Sequence, residues 1–307
     1  MTSALFARTC WDTAMRICVA HETVYRYDSP SSGVIQTLRL TPRNHAGQYV
    51  VDWRIDVSAD CRLDPQEDAF GNVIHAFSTT GPIAELRLLV EGEVETQDTA
   101  GVVRGAVERF PPSLFLRETP LTHADDAILA YAVQFPRPNA DTTLGTLHNL
   151  LAQLREDIAW DKAPNPAHGT AAEAFAGKRG ASRDLAHLFI SIARSLGVPA
   201  RYVGGYFRRI ESAEEVIEKA VKEAAKDVAE DVEQDVGHAW VEAHVPGLGW
   251  VGFDPANGYC VTDQHVRVAI GLDHLGAAPV RGAHYGGGRE VLAVKLVVSQ
   301  ASWQTQG

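Results

Sequence analysis

Cysteine is scarce in this chain. Cys10, Cys18, Cys61 and Cys260 stand at spacings that suit neither a metal site nor a disulfide framework, which points to a reducing, cytoplasmic setting. The twelve histidines are dispersed, with no ligand cluster of the zinc kind and no calcium-loop motif, so no metal and no cofactor is expected. No run of eighteen apolar residues is present, and the N-terminus lacks the apolar stretch of a signal peptide; neither a membrane span nor secretion is expected. Basic residues are outnumbered, 28 to 39, for a formal net charge of −11. That balance excludes non-specific nucleic-acid binding, which needs basic patches to displace counterions. What is present is ordinary for a globular protein: 45% apolar residues in 307, enough for one large domain or two.

From Arg16 to about Thr96 the pattern is β. Thr23, Tyr25 and Tyr27 alternate with polar neighbours, as do Val51, Trp53, Ile55 and Val57. Leu86, Leu88, Val90 and Val94 share a face opposite Glu91, Glu93 and Glu95, and Phe70-Gly71-Asn72 reads as a turn. Short strands at this spacing predict an antiparallel β-sandwich-like domain over 15–110, with Met15 offering an alternative start. Pro111-Pro112 marks a change of character. Beyond it Ile128, Leu129 and Tyr131, then Leu144, Leu147, Leu151, Leu154 and Ile158, recur at helical spacing. The fold class is α+β, with a second domain over 111–299.

Residues 211–235 carry ten acids and three lysines. Ile217, Val221, Ala224, Val228 and Val232 form a narrow apolar stripe, and Glu215/Lys219 and Glu218/Lys222 are i,i+4 pairs. This predicts an inserted amphipathic helix, either packed along one edge as a solvated helix or serving as a lid or partner-docking element.

The chemistry gathers in two stretches. The first runs from Gly180 to Tyr206. Ser182 stands where an N-cap would, Leu185, Phe189, Ile192 and Leu196 step at helical spacing, and Gly197 and Pro199 end the helix. Ser182 either caps the helix or acts as a nucleophile, because unpaired N–H groups and the helix dipole favour negative charge there. Asp184 reads as a first-turn acid, and His187 as a packing residue. Trp160 is either a core aromatic or a wall of the site.

The second stretch is a hairpin. His238, Trp240, Glu242 and His244 alternate with Ala239, Val241, Ala243 and Val245, and Trp250 to Asp254 returns after Pro246-Gly247-Leu248-Gly249. A register that pairs Glu242 with Trp250 sets His238 directly opposite Asp254, where a carboxylate would fix the imidazole tautomer. A two-residue shift leaves them diagonal and still within reach. Such a pair is either structural or catalytic; behind a nucleophile in chain order it has the layout of a nucleophile–base–orienter triad.

These residues resemble the bacterial transglutaminase-like family. The similarity lies in Gly180 to His187, Gly197 to Tyr206, His238 to Glu242 and Gly249 to Pro255. It extends to His21 to Tyr27, Leu38 to Arg43, Asp68 to Asn72, Pro279 to Gly282 and Tyr285 to Gly287. The resemblance implies a papain-like core, with a nucleophile-bearing helix on an antiparallel sheet, behind an accompanying N-terminal β-domain. It also implies a Cys–His–Asp triad that attacks amide carbonyls. His238 takes the base position and Asp254 the orienting one, but the nucleophile position holds Ser182 in place of cysteine.

That exchange matters. A helix N-terminus and a neighbouring imidazolium can lower a thiol pKa from about 8.5 into the range of roughly 3.5–7.5, whereas a serine hydroxyl stays protonated and needs its proton removed during attack. The expectation is therefore an amide acyl transferase or hydrolase for peptide or protein amides that is slow or inactive as it stands. The alternatives are a non-catalytic module that binds peptides or amide groups, and a scaffold acting through the acidic helix.

Overall fold

The computed structural model describes residues 14–161, 169–209 and 237–301. The acidic insert expected over 211–235 lies outside them, as does Cys10. Among the described residues no helix is long and apolar enough to cross a membrane, and Cys18, Cys61 and Cys260 are free.

The N-terminal half is β, as the alternation requires. Strands β1 (Met15–Thr41), β2 (Gln48–Val57), β3 (Pro65–Glu67) and β4 (Val73–Thr96) pair antiparallel. Breaks in register between Arg26 and Gly33 divide the long β1 into two halves. Tyr25 and Tyr27 from the first half meet Val34, Leu38 and Leu40 from the second in one buried cluster with Leu86, Leu88 and Val90. The expected sandwich-like core is thus enclosed by strands of one hydrogen-bonded sheet, not by two separately bonded ones.

After β5 (Val102–Val103) come helices α1 (Asp126–Ala132) and α2 (Thr143–Asp157), strand β6 (Ala159–Trp160), α3 (Ala171–Gly177), β7 (Arg179–Gly180) and α4 (Ser182–Ser195). Helix α3 escaped the sequence reading, although Thr170 and Glu173 form a capping box at its start. Helix α4 is buried over nearly its whole length. Its last turn is tied down by Arg194, 6% exposed, which donates to the carbonyls of Phe115, Ala200 and Leu272 and to Thr122 Oγ1. Burial lowers the pKa of this guanidinium to about 10, still a cation at neutral pH.

A second sheet follows, from β8 (Ala200–Phe207), β9 (His238–Val245), β10 (Gly249–Asp254), β11 (Tyr259–Cys260) and β12 (His265–Gly271), in the order β11-β10-β9-β8-β12. Ala239, Val241, Ala243 and Val245 pack on α4 in the main core, while Trp240 and Trp250 fill a cluster with Phe115 and Val203 on the other face. The sequence suggested one apolar face for β9; it is a central strand buried on both. Helix α5 (His274–Ala277) leads to β13 (Val280–Gly286) and β14 (Glu290–Gln300).

These last two strands pair with β1 and complete the first sheet, while β5 joins the second through β10. The cut at residue 111 marks a change of composition but does not separate the sheets. Ile17, Val19 and Val94 also belong to the same buried cluster as α4. The outer edge of β12 is closed by two side-chain amides that act as strand partners. Gln48 accepts from Arg267 N–H at 2.7 Å and donates to its carbonyl at 2.9 Å, and Asn72 does the same to Ile270 at 2.8 Å both ways. Asp68 aims Asn72, accepting from its backbone and side-chain N–H, while Gly71 makes the turn at φ +82°. This explains the Asp68–Asn72 motif: it covers a strand edge that would otherwise expose bare donors and acceptors.

His21 joins the sheets as well. Its ring sits between Tyr206 Oη on Nδ1 and Thr23 Oγ1 on Nε2, each at 3.1 Å, and burial lowers its pKa to about 4. His45 is lowered to about 4, chiefly by burial. An unfolded histidine titrates near 6.5, so between pH 6.5 and 4 the unfolded chain binds protons that the folded chain refuses. This contribution is complete above pH 6.5 and is lost as pH falls towards 4; for His21 it amounts to about 3 kcal/mol. Urea unfolding from pH 7 to 4.5 should show stability falling with acid, and His21→Gln should remove about one proton from the slope. An unchanged slope in that variant would refute the assignment.

Candidate active site

The start of α4 is fixed by its own residues. Ala181, in extended backbone, is the N-cap and Ser182 is the first helical residue. Asp184 Oδ2 accepts from Ala181 N–H at 3.1 Å, so the cap amide is satisfied by the third residue of the helix, as half a capping box. The capping role that the sequence offered Ser182 is thus taken by Ala181 and Asp184, and Ser182 itself is 2% exposed. Parallel pairing of β6 with β7 sets Trp160 beside Gly180, two residues upstream.

Topology gathers the other side chains. Helix α4 turns directly into β8 and packs against it, and the ring of Trp160, the strand partner of Gly180, reaches towards His238. Strand β9 begins with His238 opposite Gly205, and His265 at the start of β12 lies opposite Phe207. Strand β10 runs back to end on Asp254.

The observed register is Trp250 opposite His244 and Gly252 opposite Glu242, two residues from the expected one. The cause is the turn. Leu248 N–H donates to Val245 O at 3.1 Å across Pro246-Gly247, with Gly247 at φ +82°, the pattern of a type II turn with Pro at i+1 and Gly at i+2. Pairing resumes at once, Gly249 against Val245. His238 and Asp254 are therefore diagonal, and in contact: His238 Nε2 lies 2.7 Å from Asp254 Oδ2. The carboxylate can only accept, so Nε2 carries the proton, and Nδ1 of the neutral ring is left as the basic atom.

Asp254 is completely buried and well served with donors. Oδ2 accepts from His238, from His265 Nε2 at 3.0 Å and from Asn257 Nδ2 at 2.6 Å. Oδ1 accepts from the backbone N–H of Ala256 and Asn257. Burial alone would raise its pKa, but His238 and His265 more than reverse this, and the group sits well below the ordinary carboxylate range. His265 and Asn257 were not singled out from the sequence. For Asn257 a signal was there, since Asp-Pro-Ala-Asn-Gly is the composition of an Asx turn; for His265 there was none.

His238, Asp254 and His265 offer three ligand atoms within 4.8 Å of one another, a spacing a divalent cation could use. The hydrogen bonds oppose that use. His265 Nδ1 accepts from Thr262 N–H at 3.2 Å, so its proton is on Nε2. To give Nε2 to a metal the neutral ring would need its proton on Nδ1, pointing at the Thr262 donor. The cluster fits a hydrogen-bonded relay better than a metal centre.

Aromatic rings surround His238. Trp160 stands edge-on with ring centroids 6.5 Å apart, Phe207 at 5.0 Å and Trp240 at 6.2 Å. Trp160 is half-buried, packs on the core and carries the Arg209 guanidinium 4.8 Å above its ring, so it is both core aromatic and wall. Trp240 is fully buried and lies over Gly205, where a Cβ would come within 2.6 Å of the indole. His187 packs on Tyr202 and accepts from His274 N–H at 3.0 Å, a structural part as expected.

Comparison with known proteins follows the same division. Residues 17–95 match the bacterial transglutaminase-like N-terminal region, and residues 130–255 match the transglutaminase-like superfamily core. An uncharacterized protein of Mycobacterium leprae is 27% identical over 297 residues, covering 93% of this chain and 99% of its own. An uncharacterized protein of Mycobacterium tuberculosis is 25% identical over 289 residues, with 88% of each chain covered. The crystal structure of a candidate cysteine protease from Cytophaga hutchinsonii has the same fold, with a TM-score of 0.70 at 17% identity, over 95% of this chain and 93% of that one. The two family matches stand in chain order, the bacterial transglutaminase-like N-terminal region over the first sheet and the transglutaminase-like superfamily core over the helices and the strands that carry His238 and Asp254.

Proposed function

We propose that the chain is built for acyl transfer from peptide or protein amides, to water or to an amine, by a cysteine-protease-type mechanism in which Ser182 stands at the nucleophile position. The observation that carries the reading is the 2.7 Å bond between His238 Nε2 and Asp254 Oδ2. In the reaction, the nucleophile at 182 attacks the amide carbonyl while His238 Nδ1 takes its proton and Asp254 stabilises the imidazolium. The C–N bond breaks as His238 returns the proton to the leaving amine. Water or an amine then releases the acyl group by the reverse sequence. The developing oxyanion would take backbone N–H donors at the start of α4, that of residue 182 first. The free cysteines fit a reducing cytoplasm.

Labelling tests the geometry without needing the substrate. In Ser182→Cys, iodoacetamide at pH 6 should alkylate position 182 at least about tenfold faster than Cys18, Cys61 and Cys260, because none of those three opens a helix, whereas a thiol at 182 would do so with the proposed base at hand. Burial raises the native thiols at 18, 61 and 260 above the ordinary value. Adding His238→Ala should remove the advantage. Equal labelling of all sites would count against the triad. Saturable peptide binding without turnover in Ser182→Cys would favour the non-catalytic alternative.

A further inference from the structure

The second histidine on the orienting carboxylate has no place in the three-residue scheme, and it lies beyond residues 130–255 that match the superfamily core. We infer that His265 is a positioning residue for the proposed triad: a neutral imidazole, held as the Nε2–H tautomer by Thr262, that fixes the Asp254 carboxylate beneath His238. The inference rests on the proposed function for its catalytic meaning, but not for its geometry.

His265 sits at the first position of β12 and is 4% exposed. Both ring nitrogens are committed: Nδ1 accepts the Thr262 amide at 3.2 Å, and Nε2 faces Asp254 Oδ2 at 3.0 Å. Each bond demands the same tautomer. A second proton on Nδ1 would oppose the Thr262 N–H, so the ring stays a neutral donor. Burial, helped by the neighbouring His238, lowers its pKa in the same sense, against the pull of Asp254 and a smaller one from the Thr262 backbone. The surrounding groups agree. Phe207 from β8 and Trp240 from β9 pack on the ring at 4.7 and 5.2 Å, and Tyr259 from β11 stands at 6.3 Å. The titratable groups facing it are Asp254, His238 and Tyr259, with Asp263 close enough to interact electrostatically.

The two histidines on Oδ2 therefore have different work. His238 has Nδ1 available and can take up a proton; His265 cannot without breaking its backbone bond. A donor that does not titrate keeps the carboxylate in one rotamer while His238 cycles between neutral and protonated forms. Asn257 Nδ2, 2.6 Å from Oδ2, holds it from another side. Losing the His265 donor frees the carboxylate to rotate, and a displacement of about 1 Å in such a site costs on the order of 10²-fold in rate.

Two measurements decide the point. In the chain as it stands, ring-nitrogen NMR of histidine-labelled protein from pH 5 to 8 should show His265 protonated at Nε2 alone throughout. In His265→Phe, the His238 Nε2–H should exchange with solvent about tenfold faster. An Nδ1–H tautomer, an imidazolium forming in that range, or unchanged exchange in the variant would overturn the inference, whatever the protein's activity. In the Ser182→Cys background, His265→Phe should lower kcat about 10–100-fold with KM within twofold. His265→Gln, whose amide N–H can replace the Nε2 donor, should recover all but about threefold. A loss shared equally by both variants, tracking lower thermal stability, would mean that the residue only packs. Absence of turnover in Ser182→Cys itself would sink the proposed function and leave the NMR result to decide His265.

Discussion

Replacing Ser182 by cysteine is expected to raise turnover of activated esters and of glutamine- or peptide-type amides by about 10³-fold or more. Residues of a triad act as a unit, and a faulty nucleophile costs nearly as much as losing the whole set. The physical difference lies in the ground state. A thiol at a helix N-terminus beside an imidazole can be stored as thiolate near neutral pH; the serine hydroxyl cannot, and must lose its proton to His238 as it attacks. In the proposed scheme the base needs no rearrangement, since Asp254 accepts five hydrogen bonds and holds His238 by one of them. Two controls follow. In the cysteine form, His238→Ala should return turnover to the level of the serine chain. Asp254→Asn should cost on the order of 10³–10⁴-fold, because an amide can present its own N–H groups to His238 and impose the wrong tautomer. If neither the serine nor the cysteine form turns over any ester or amide, the acyl-transfer reading fails.

Much of this site could be read from the sequence because its parts are local. Gly197 and Pro199 end α4 within the chain's own neighbourhood, and the first-turn Asp184 announced a helix start that needed no other element. The pairing of His238 with Asp254 was legible because a hairpin brings its strands together whatever surrounds it. What escaped depends on one or two degrees of local freedom, or on distant partners. The two-residue error in register came from the Pro-Gly turn: the expected pairing centres the hairpin on Pro246, whereas the turn pairs Val245 with Gly249 and centres it on Gly247. His265 carries no pattern of its own: a lone histidine opening an apolar strand becomes a partner of Asp254 only when β12 docks beside β8. Nor could the return of β13 and β14 to the first sheet be foreseen, because strand pairing across more than 200 residues leaves no period in the sequence. The family-like run His238 to Glu242 mixes two purposes. Its histidine meets Asp254, and its glutamate, on the same strand face, holds the sheet together.

That glutamate yields the second large effect. Glu242 is completely buried, and its carboxylate joins two cations: Oε2 accepts from Arg201 Nε at 2.7 Å, and Oε1 from Arg267 Nε at 2.7 Å. Arg201 is itself fully buried, stacked 3.9 Å from the Trp250 ring, and donates in bidentate fashion to Glu108. Arg267 carries the backbone that Gln48 grips, so the network links the connecting segment, three strands of the second sheet and the edge of the first. Burial would raise the pKa of Glu242, yet Arg267 and Arg201 bring it to about 2. Glu242→Ala leaves Arg267 without its carboxylate and Arg201 with one of two, both away from water; breaking such a network costs about 3–5 kcal/mol. Glu242→Gln keeps the shape but not the charge and should also destabilise. The pH dependence has a defined sign. A carboxylate depressed in the folded state contributes its full stability above its unfolded pKa, near 4.5, and loses it as pH falls towards 2, a window that begins where that of His21 is ending. Urea unfolding at pH 7 should show the loss in Glu242→Ala. Across pH 4.5 to 3, the stability of Glu242→Gln should fall less steeply than that of the parent chain. A change below about 1 kcal/mol at pH 7, in the range of exposed ion pairs, would mean that the two arginines find other partners and that Glu242 is not what joins the strands.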